Sequence, residues 1–202
     1  LCPALGLAEL ENDIVRSKRL LEDLTGRPVR GYRAPSFSVD ERALGILAEC
    51  GFRYDASLNG FSGNPRYGKI CLEPLERRGA ACLLPNGLFE IPVSLMPFLG
   101  KRIPCGGGYF RLFPLALQRK PLSAALAETG SLCFYLHPWE IDPGQPRVRG
   151  LPPALGFRHY VNLGRTERKF SALLRHFSGA DFVTCGQYLD GAFGPESPHQ
   201  RP

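Results

Sequence analysis

The stretch "VRGYRAPSFSVDERAL", residues 29–44, decides the fold class, because it combines a short strand, a rigid turn and the start of a helix. "VRGY" predicts the strand. Ser38 and Glu41 have the spacing of a capping box, in which the two side chains satisfy each other's backbone N–H groups. A helix is therefore predicted over about residues 40–50, and Arg33 lies at the end of the strand that precedes it.

Outward from this stretch, strands and helices continue to alternate. Residues 7–24 have apolar side chains at helical spacing and predict an amphipathic helix. "FRYDAS", residues 52–57, predicts a second short strand. The elements predicted further along are an irregular stretch over residues 59–86, a strand in "LFEIPVSL" (88–95), a helical region over about 106–128 broken by Pro121, the strongest strand in "SLCFYLH" (131–137), a proline-rich excursion over 138–158, a helix over 165–177 and a last strand in "DFVTC" (181–185).

This order of elements predicts an α/β protein. Alternating strands and helices of these lengths indicate a mainly parallel sheet or a barrel, with helices outside. The sequence has no internal repeat and no linker that divides it. With 202 residues the chain is long enough to bury a sizeable core.

The composition excludes some classes of partner. The formal charge is +6, but lysines and arginines are scattered in short pairs, which only weakly favours anionic partners. Neither a zinc-finger pattern nor an aromatic RNA-binding signature accompanies the charge, so nucleic acid is not expected as a partner.

The cysteines and the apolar runs predict the compartment. Seven cysteines are spread without a C-x-x-C pair, which indicates free thiols in a reducing compartment and favours a cytoplasmic protein. No apolar stretch approaches the ~20 residues that a membrane span needs, and the start does not resemble a signal peptide. No membrane span is therefore expected.

Three polar residues at predicted strand ends are candidates for chemistry: Arg33, Asp55 and His137. The carboxyl ends of parallel strands meet at one edge, so these side chains are expected on a common face. His137 can act as a general acid or base, or simply cap its strand. Asp55 can orient that imidazole, or form a turn. Arg33 offers a forked grip on a carboxylate, or a salt bridge that only fixes a loop.

Other candidate features are weaker. The run Gly106–Gly108 fits neither the dinucleotide-binding nor the P-loop spacing and indicates a tight loop. The four histidines show no metal-binding spacing. Trp139, directly after the His137-Pro pair, is either a wall for a sugar ring or a packing residue.

Five sequence blocks resemble a known family. "GYRAPSFS", "FRYDAS", "GGGYFRLFP", "FYLHPWEIDPGQPRV" and "FRHYVNLGRTE" occur in this order and resemble polysaccharide deacetylases of the NodB-homology family. They are most similar to the subgroup associated with exosortase and exopolysaccharide gene clusters, which has a distinctive carboxyl-terminal extension. The resemblance covers about residues 10–188. Its fourth block is specific, whereas "RAPS" alone is weak.

The resemblance implies a fold and a division of the chain. The fold is a distorted (β/α) barrel of the NodB-homology type, here expected to be incomplete at the N-terminus. Residues 1–190 are expected to form the deacetylase domain, with the family-specific extension from about residue 138, and residues 191–202 a loose tail.

The resemblance also implies an activity, the hydrolysis of N-acetyl groups on a polysaccharide or oligosaccharide. A divalent metal, most often zinc, polarises the acetyl carbonyl and activates water in this family. By motif, His137 resembles the acid that protonates the leaving amine, Asp55 the carboxylate that tunes this histidine, and Arg33 the arginine that holds the base aspartate. The residues expected to contact substrate are Pro35, Leu136 and Trp139.

The chain departs from the family pattern in two motifs. An Asp-Asp pair and a His-x-x-x-His spacing, which supply the base and the metal ligands, do not occur in it. Both motifs are expected just before Leu1, so the chain is expected to be truncated and, without them, inactive alone. A non-catalytic carbohydrate-binding relative and a hydrolase of small cyclic amides on the same barrel are the alternatives.

Overall fold

The computed structural model describes residues 1–71 and 73–195. Its α-helices are α1 (Leu7–Thr25), α2 (Glu41–Glu49), α3 (Gly107–Leu112), α4 (Leu115–Thr129), α5 (Pro153–Tyr160), α6 (Leu163–His176) and α7 (Cys185–Phe193). Its strands are β1 (Gly31–Tyr32), β2 (Tyr54–Asp55), β3 (Glu76–Arg78), β4 (Ala81–Leu83), β5 (Phe89–Glu90), β6 (Leu95–Phe98) and β7 (Lys101–Pro104). Short 3-10 turns cover Cys2–Ala4, Pro35–Phe37 and Pro138–Ile141.

The chain folds into two compact units. Unit 1 is formed by Leu1–Val93 together with Val183–Pro202, and unit 2 by Ser94–Phe182. No helix among residues 1–71 and 73–195 is long and apolar enough to span a membrane.

Unit 1 contains a five-stranded mixed sheet in the order β1-β2-β5-β4-β3. β1, β2 and β5 are parallel, whereas β3, β4 and β5 are antiparallel neighbours. The strands of the described residues form no closed barrel, so the barrel prediction is wrong. An alternation of strands and helices is compatible with an open sheet as well as with a barrel, and the β3–β4 hairpin, inside the stretch predicted to be irregular, extends the sheet in the antiparallel sense.

Two helices supply most of the apolar core of unit 1. α1 has the predicted bounds within one residue, and it buries Leu10 and Ile14 against Leu44 and Leu47 of α2. The predicted capping box of α2 is wrong. Asp40 is its N-cap and accepts a hydrogen bond from Ala43 N at 2.9 Å.

Ser38 has a different role from the predicted cap. Its Oγ accepts a hydrogen bond from Cys2 N at 3.1 Å, and the side chain is fully buried. Asp40 is two residues closer to the helix and caps it directly, as aspartate does at many N-termini. The serine hydroxyl is therefore used to attach the amino-terminal segment.

Unit 2 is built around the two-stranded β6–β7 sheet and four helices. Its buried apolar side chains include Met96, Ile103, Phe110, Leu122 and Leu173. The helical region breaks at Phe113 and Pro114 rather than at Pro121, which lies inside α4.

Two strand predictions, those for "SLCFYLH" and "DFVTC", are wrong. "SLCFYLH" contributes one isolated bridge, between Tyr135 and Gly106, and accepts one further backbone hydrogen bond, from Ser94 N to Cys133 O, which is too little pairing for a strand. "DFVTC" is not a strand, since α7 begins at Cys185 with Thr184 as its N-cap.

The predicted tail begins inside α7, which ends at Phe193. Residues 196–202 lie outside the described part of the chain.

Candidate functional site

The candidate site of unit 1 lies at the carboxyl edge of the parallel strands. Tyr32 pairs with Asp55, and Asp55 pairs with Glu90, so β1, β2 and β5 end level with one another. Arg33 directly follows β1. Arg33 and Asp55, both predicted from strand ends, therefore lie at the ends of neighbouring strands. The structure places a third residue, Glu90, at the same edge.

Asp55 is fully buried and accepts two hydrogen bonds from Ser57. The Ser57 hydroxyl donates to Oδ1 at 2.6 Å and the Ser57 backbone N–H to Oδ2 at 3.1 Å. The same hydroxyl accepts from Ala34 N at 2.7 Å. Both carboxylate oxygens of Asp55 thus face hydrogen-bond donors, and Ser57 connects the ends of β1 and β2.

Glu90 is also fully buried, and it is the residue of β5 that pairs with Asp55 in the register of the sheet. Its Oε1 accepts from Leu58 N at 2.9 Å. Burial raises the pKa of both carboxyl groups. The charge of Asp55 raises the pKa of Glu90 further, well above its usual value, whereas nearby Arg33 lowers it.

The turn that holds Arg33 is strained. Ser36 and Phe37 have φ values of 55° and 57°, which non-glycine residues rarely adopt. The guanidinium lies 5.7 Å from the Phe37 ring centroid, and Arg33 Nε donates to Ala56 O at 2.8 Å. Pro35, predicted as a groove wall, is exposed at the start of this turn. Such backbone strain is found at functional sites more than elsewhere.

The candidate site of unit 2 is the turn that begins at His137. His137 is exposed and precedes the 3-10 turn Pro138–Ile141. Its backbone N–H donates to Glu140 Oε2 at 2.9 Å. The imidazole is therefore accessible, while its backbone is bound to a buried carboxylate.

Glu140 forms a buried salt bridge with Arg111. Arg111 Nε and Glu140 Oε1 are 2.7 Å apart, and the two side chains are 2% and 1% exposed. The other nitrogens of the guanidinium donate to three backbone carbonyls at the end of α5, those of Arg158, His159 and Val161, at 2.8–3.0 Å. One ion pair thus joins three of the sequence blocks that carry the resemblance.

The Trp139 ring stacks against two histidine rings. Its ring lies 5.8 Å from that of His137 and 4.4 Å from that of His159, both at an interplanar angle of 12°. His159 Nε2 is 2.8 Å from Gln145 Oε1. Leu136, the other residue predicted to contact substrate, is half-buried.

The glycine run before Arg111 has a packing role. Gly106 has a φ of 123°, and a Cβ there would lie 2.1 Å from Tyr135 O. Gly107 N donates to the same carbonyl at 3.1 Å. Gly107 and Gly108 are the first residues of α3 and Gly106 is its N-cap, so the run begins a helix that packs closely against Tyr135.

Three residues of these two sites were missed from the sequence: Glu90, Arg111 and Glu140. A signal existed for two of them. Glu90 is a lone carboxylate in an apolar strand, which indicates a buried partner, and Glu140 is three residues after His137, the spacing of a capping box. Arg111 has no local signal, because its partners are distant in sequence.

A metal site does not emerge from these residues. Among residues 1–71 and 73–195, no three His, Cys, Asp or Glu side chains are grouped so that they fit a metal ion. No residue of these ranges is therefore assigned to the divalent metal that the resemblance implies.

Comparison with known proteins identifies the family. Residues 59–190, more than half of the chain, match the model of a family described as "Domain of unknown function (DUF3473)". A search of curated proteins found no match. The chain belongs to the DUF3473 family.

Proposed function

We propose that this member of the DUF3473 family serves in the hydrolysis of N-acetyl groups on a sugar polymer, in exopolysaccharide biosynthesis. The proposal rests on the resemblance of its sequence blocks to polysaccharide deacetylases of the NodB-homology family. The function of the matched family is unknown, so the match itself does not support an activity.

The observation that best supports the proposal is the setting of His137. An exposed imidazole whose backbone is bound to a buried ion pair is accessible to substrate and fixed in position, as a general acid must be. In the proposed reaction the amide C–N bond breaks, the acetyl carbon takes the oxygen of water, and His137 gives a proton to the amine nitrogen.

Arg33 retains the role that the resemblance implies and holds a base carboxylate. A divalent metal, most often zinc, supplies carbonyl polarisation in this family, and no described residue is assigned to it or to the base. We place the reaction in the cytoplasm because all seven cysteines are free thiols, as expected in a reducing compartment.

The test measures acetate release from N-acetylated sugar oligomers by the protein as its gene encodes it in full. His137→Ala is expected to lower turnover by about 10²-fold or more, the usual contribution of a general acid, with little loss of stability because the side chain is exposed. The matched control is His176→Ala, since His176 is also exposed and lies on α6. It should leave turnover unchanged.

Three results would contradict the proposal. Equal turnover of His137→Ala and wild type would exclude His137 as the acid. Oligomer binding that chelators do not affect, with no acetate released, would favour the non-catalytic relative. Ring opening of a small cyclic amide in place of deacetylation would favour the cyclic-amide hydrolase.

A further inference from the structure

Glu90 Oε2 is a buried oxygen with an unusual surrounding. Among residues 1–71 and 73–195 it has no hydrogen-bond partner, and Glu90 lies directly beside the equally buried Asp55 in the register of the sheet. Two ionised carboxylates are acceptors only and repel each other, so two neighbouring buried carboxyl groups are expected to hold a proton on one of them.

The donors around the pair decide which group holds the proton. Both oxygens of Asp55 accept from Ser57, and Glu90 Oε1 accepts from Leu58 N. Only Glu90 Oε2 remains for the proton. Glu90 is therefore the donor and Asp55 the acceptor.

We propose that Glu90 is a positioning residue of this edge: it donates a shared proton to Asp55, so that the pair presents one negative charge, not two, near Arg33. A doubly ionised pair would draw the guanidinium towards itself and away from a carboxylate held at its exposed side. The consequence for Arg33 rests on the proposed deacetylase function, whereas the proton sharing does not.

The other titratable groups near Glu90 and Asp55 carry no positive charge that could take the place of this proton. Tyr32 on β1 has a pKa raised by burial, by Cys2 and by Asp55. Cys82, the β4 neighbour of Glu90, has a pKa raised by burial and by Glu90, with Arg77 opposing. Both groups are neutral near pH 7. Arg33 is therefore the group that acts on Glu90 as a cation.

The pH dependence follows from the raised pKa of the folded pair. A carboxyl group whose pKa is higher in the folded than in the unfolded state stabilises the fold below its unfolded pKa, and that contribution is lost as pH rises through the folded pKa. Between the two values the unfolding constant increases about tenfold per pH unit. Glu90→Gln abolishes this dependence, because its amide donates to Asp55 at every pH.

The experiment measures urea unfolding of the full chain at a series of pH values. Relative to wild type, Glu90→Gln should lose the decline of stability with rising pH, and the exposed Glu11→Gln should keep it. Asp55→Asn should destabilise at every pH, because its amide nitrogen would face a Ser57 donor. Parallel slopes for wild type and Glu90→Gln, or a tolerated Asp55→Asn, would overturn the proton sharing.

A second arm tests the consequence for Arg33. If the protein releases acetate, wild-type turnover should fall at high pH and Glu90→Gln should retain it. Identical alkaline limbs would overturn the positioning role. If no form releases acetate, the proposed function and the role of Arg33 both fail, while the unfolding series still decides the proton sharing.

Discussion

Two fully buried glutamates of this protein have their charge compensated in different ways. Glu140 in unit 2 pairs with Arg111 at 2.7 Å. Glu90 in unit 1 meets the Asp55 carboxyl, and burial with that neighbouring charge raises its pKa well above the usual value. Because an isolated buried charge is too costly to persist, a cation compensates Glu140, and in our proposal a proton neutralises Glu90.

This difference in charge compensation indicates which substitutions each buried glutamate tolerates. An ion pair needs both partners, and removal of one leaves the other charged and buried. A carboxyl that holds its proton is already neutral, so an amide of the same shape can replace it. The same substitution should therefore destabilise unit 2 much more than unit 1.

The largest expected effect is that of Arg111→Met. It leaves the Glu140 carboxylate without its cation and three backbone carbonyls without a donor, and it should lower the free energy of unfolding by about 3–5 kcal/mol. The control is Arg102→Met, which removes a pair of similar length, 2.8 Å to Glu128, whose side chains are about half exposed. Chemical unfolding should show a loss of only about 0–1 kcal/mol there. Equal losses would contradict the distinction.

The comparison is sharpest in the paired variants Glu140→Gln and Glu90→Gln. Glu140→Gln leaves a buried guanidinium unpaired and should cost about 3 kcal/mol. It should also speed hydrogen exchange at the His137 amide, which donates to this carboxylate. Glu90→Gln should cost under about 1 kcal/mol at neutral pH, since the amide keeps the donor to Asp55. The reverse order would show that the charges are assigned wrongly.

A smaller effect is expected from Ser57→Ala. The change removes the hydroxyl that donates to Asp55 and accepts from Ala34 N, and an unsatisfied buried group costs about 1–3 kcal/mol. Thermal or urea unfolding measures the loss. Ser17→Ala, at an exposed position of α1, should change stability by less than about 0.5 kcal/mol. Indistinguishable variants would mean that Ser57 does not connect the strand ends.

Local pattern was sufficient for part of the fold. Apolar spacing predicted α1 and α6, and the strand ends placed Arg33 beside Asp55, because parallel strands bring their carboxyl ends to one edge. The closure of a barrel was not predictable in the same way. It depends on which strands pair, and β4 and β5 pair in an antiparallel sense that no local spacing specifies.

The residues of the candidate site were also predictable only in part from local sequence pattern. His137 was selected as a candidate because it follows an apolar run, although that run is not a strand and has an isolated bridge at Tyr135. Arg111 was missed because its partners are 29 and 47–50 residues away in sequence. Glu90 was missed although its strand was predicted, since the identity of its partner depends on the register between β2 and β5.

The most direct test of the account is ¹³C NMR of the glutamate side-chain carboxyl groups, in wild type and in Glu90→Gln. We expect one resonance to have the shift of a protonated carboxyl at neutral pH and to be absent from the spectrum of the variant. If instead every glutamate resonance titrates near the ordinary value of about 4.3, Glu90 is ionised and the contrast between the two buried glutamates is wrong.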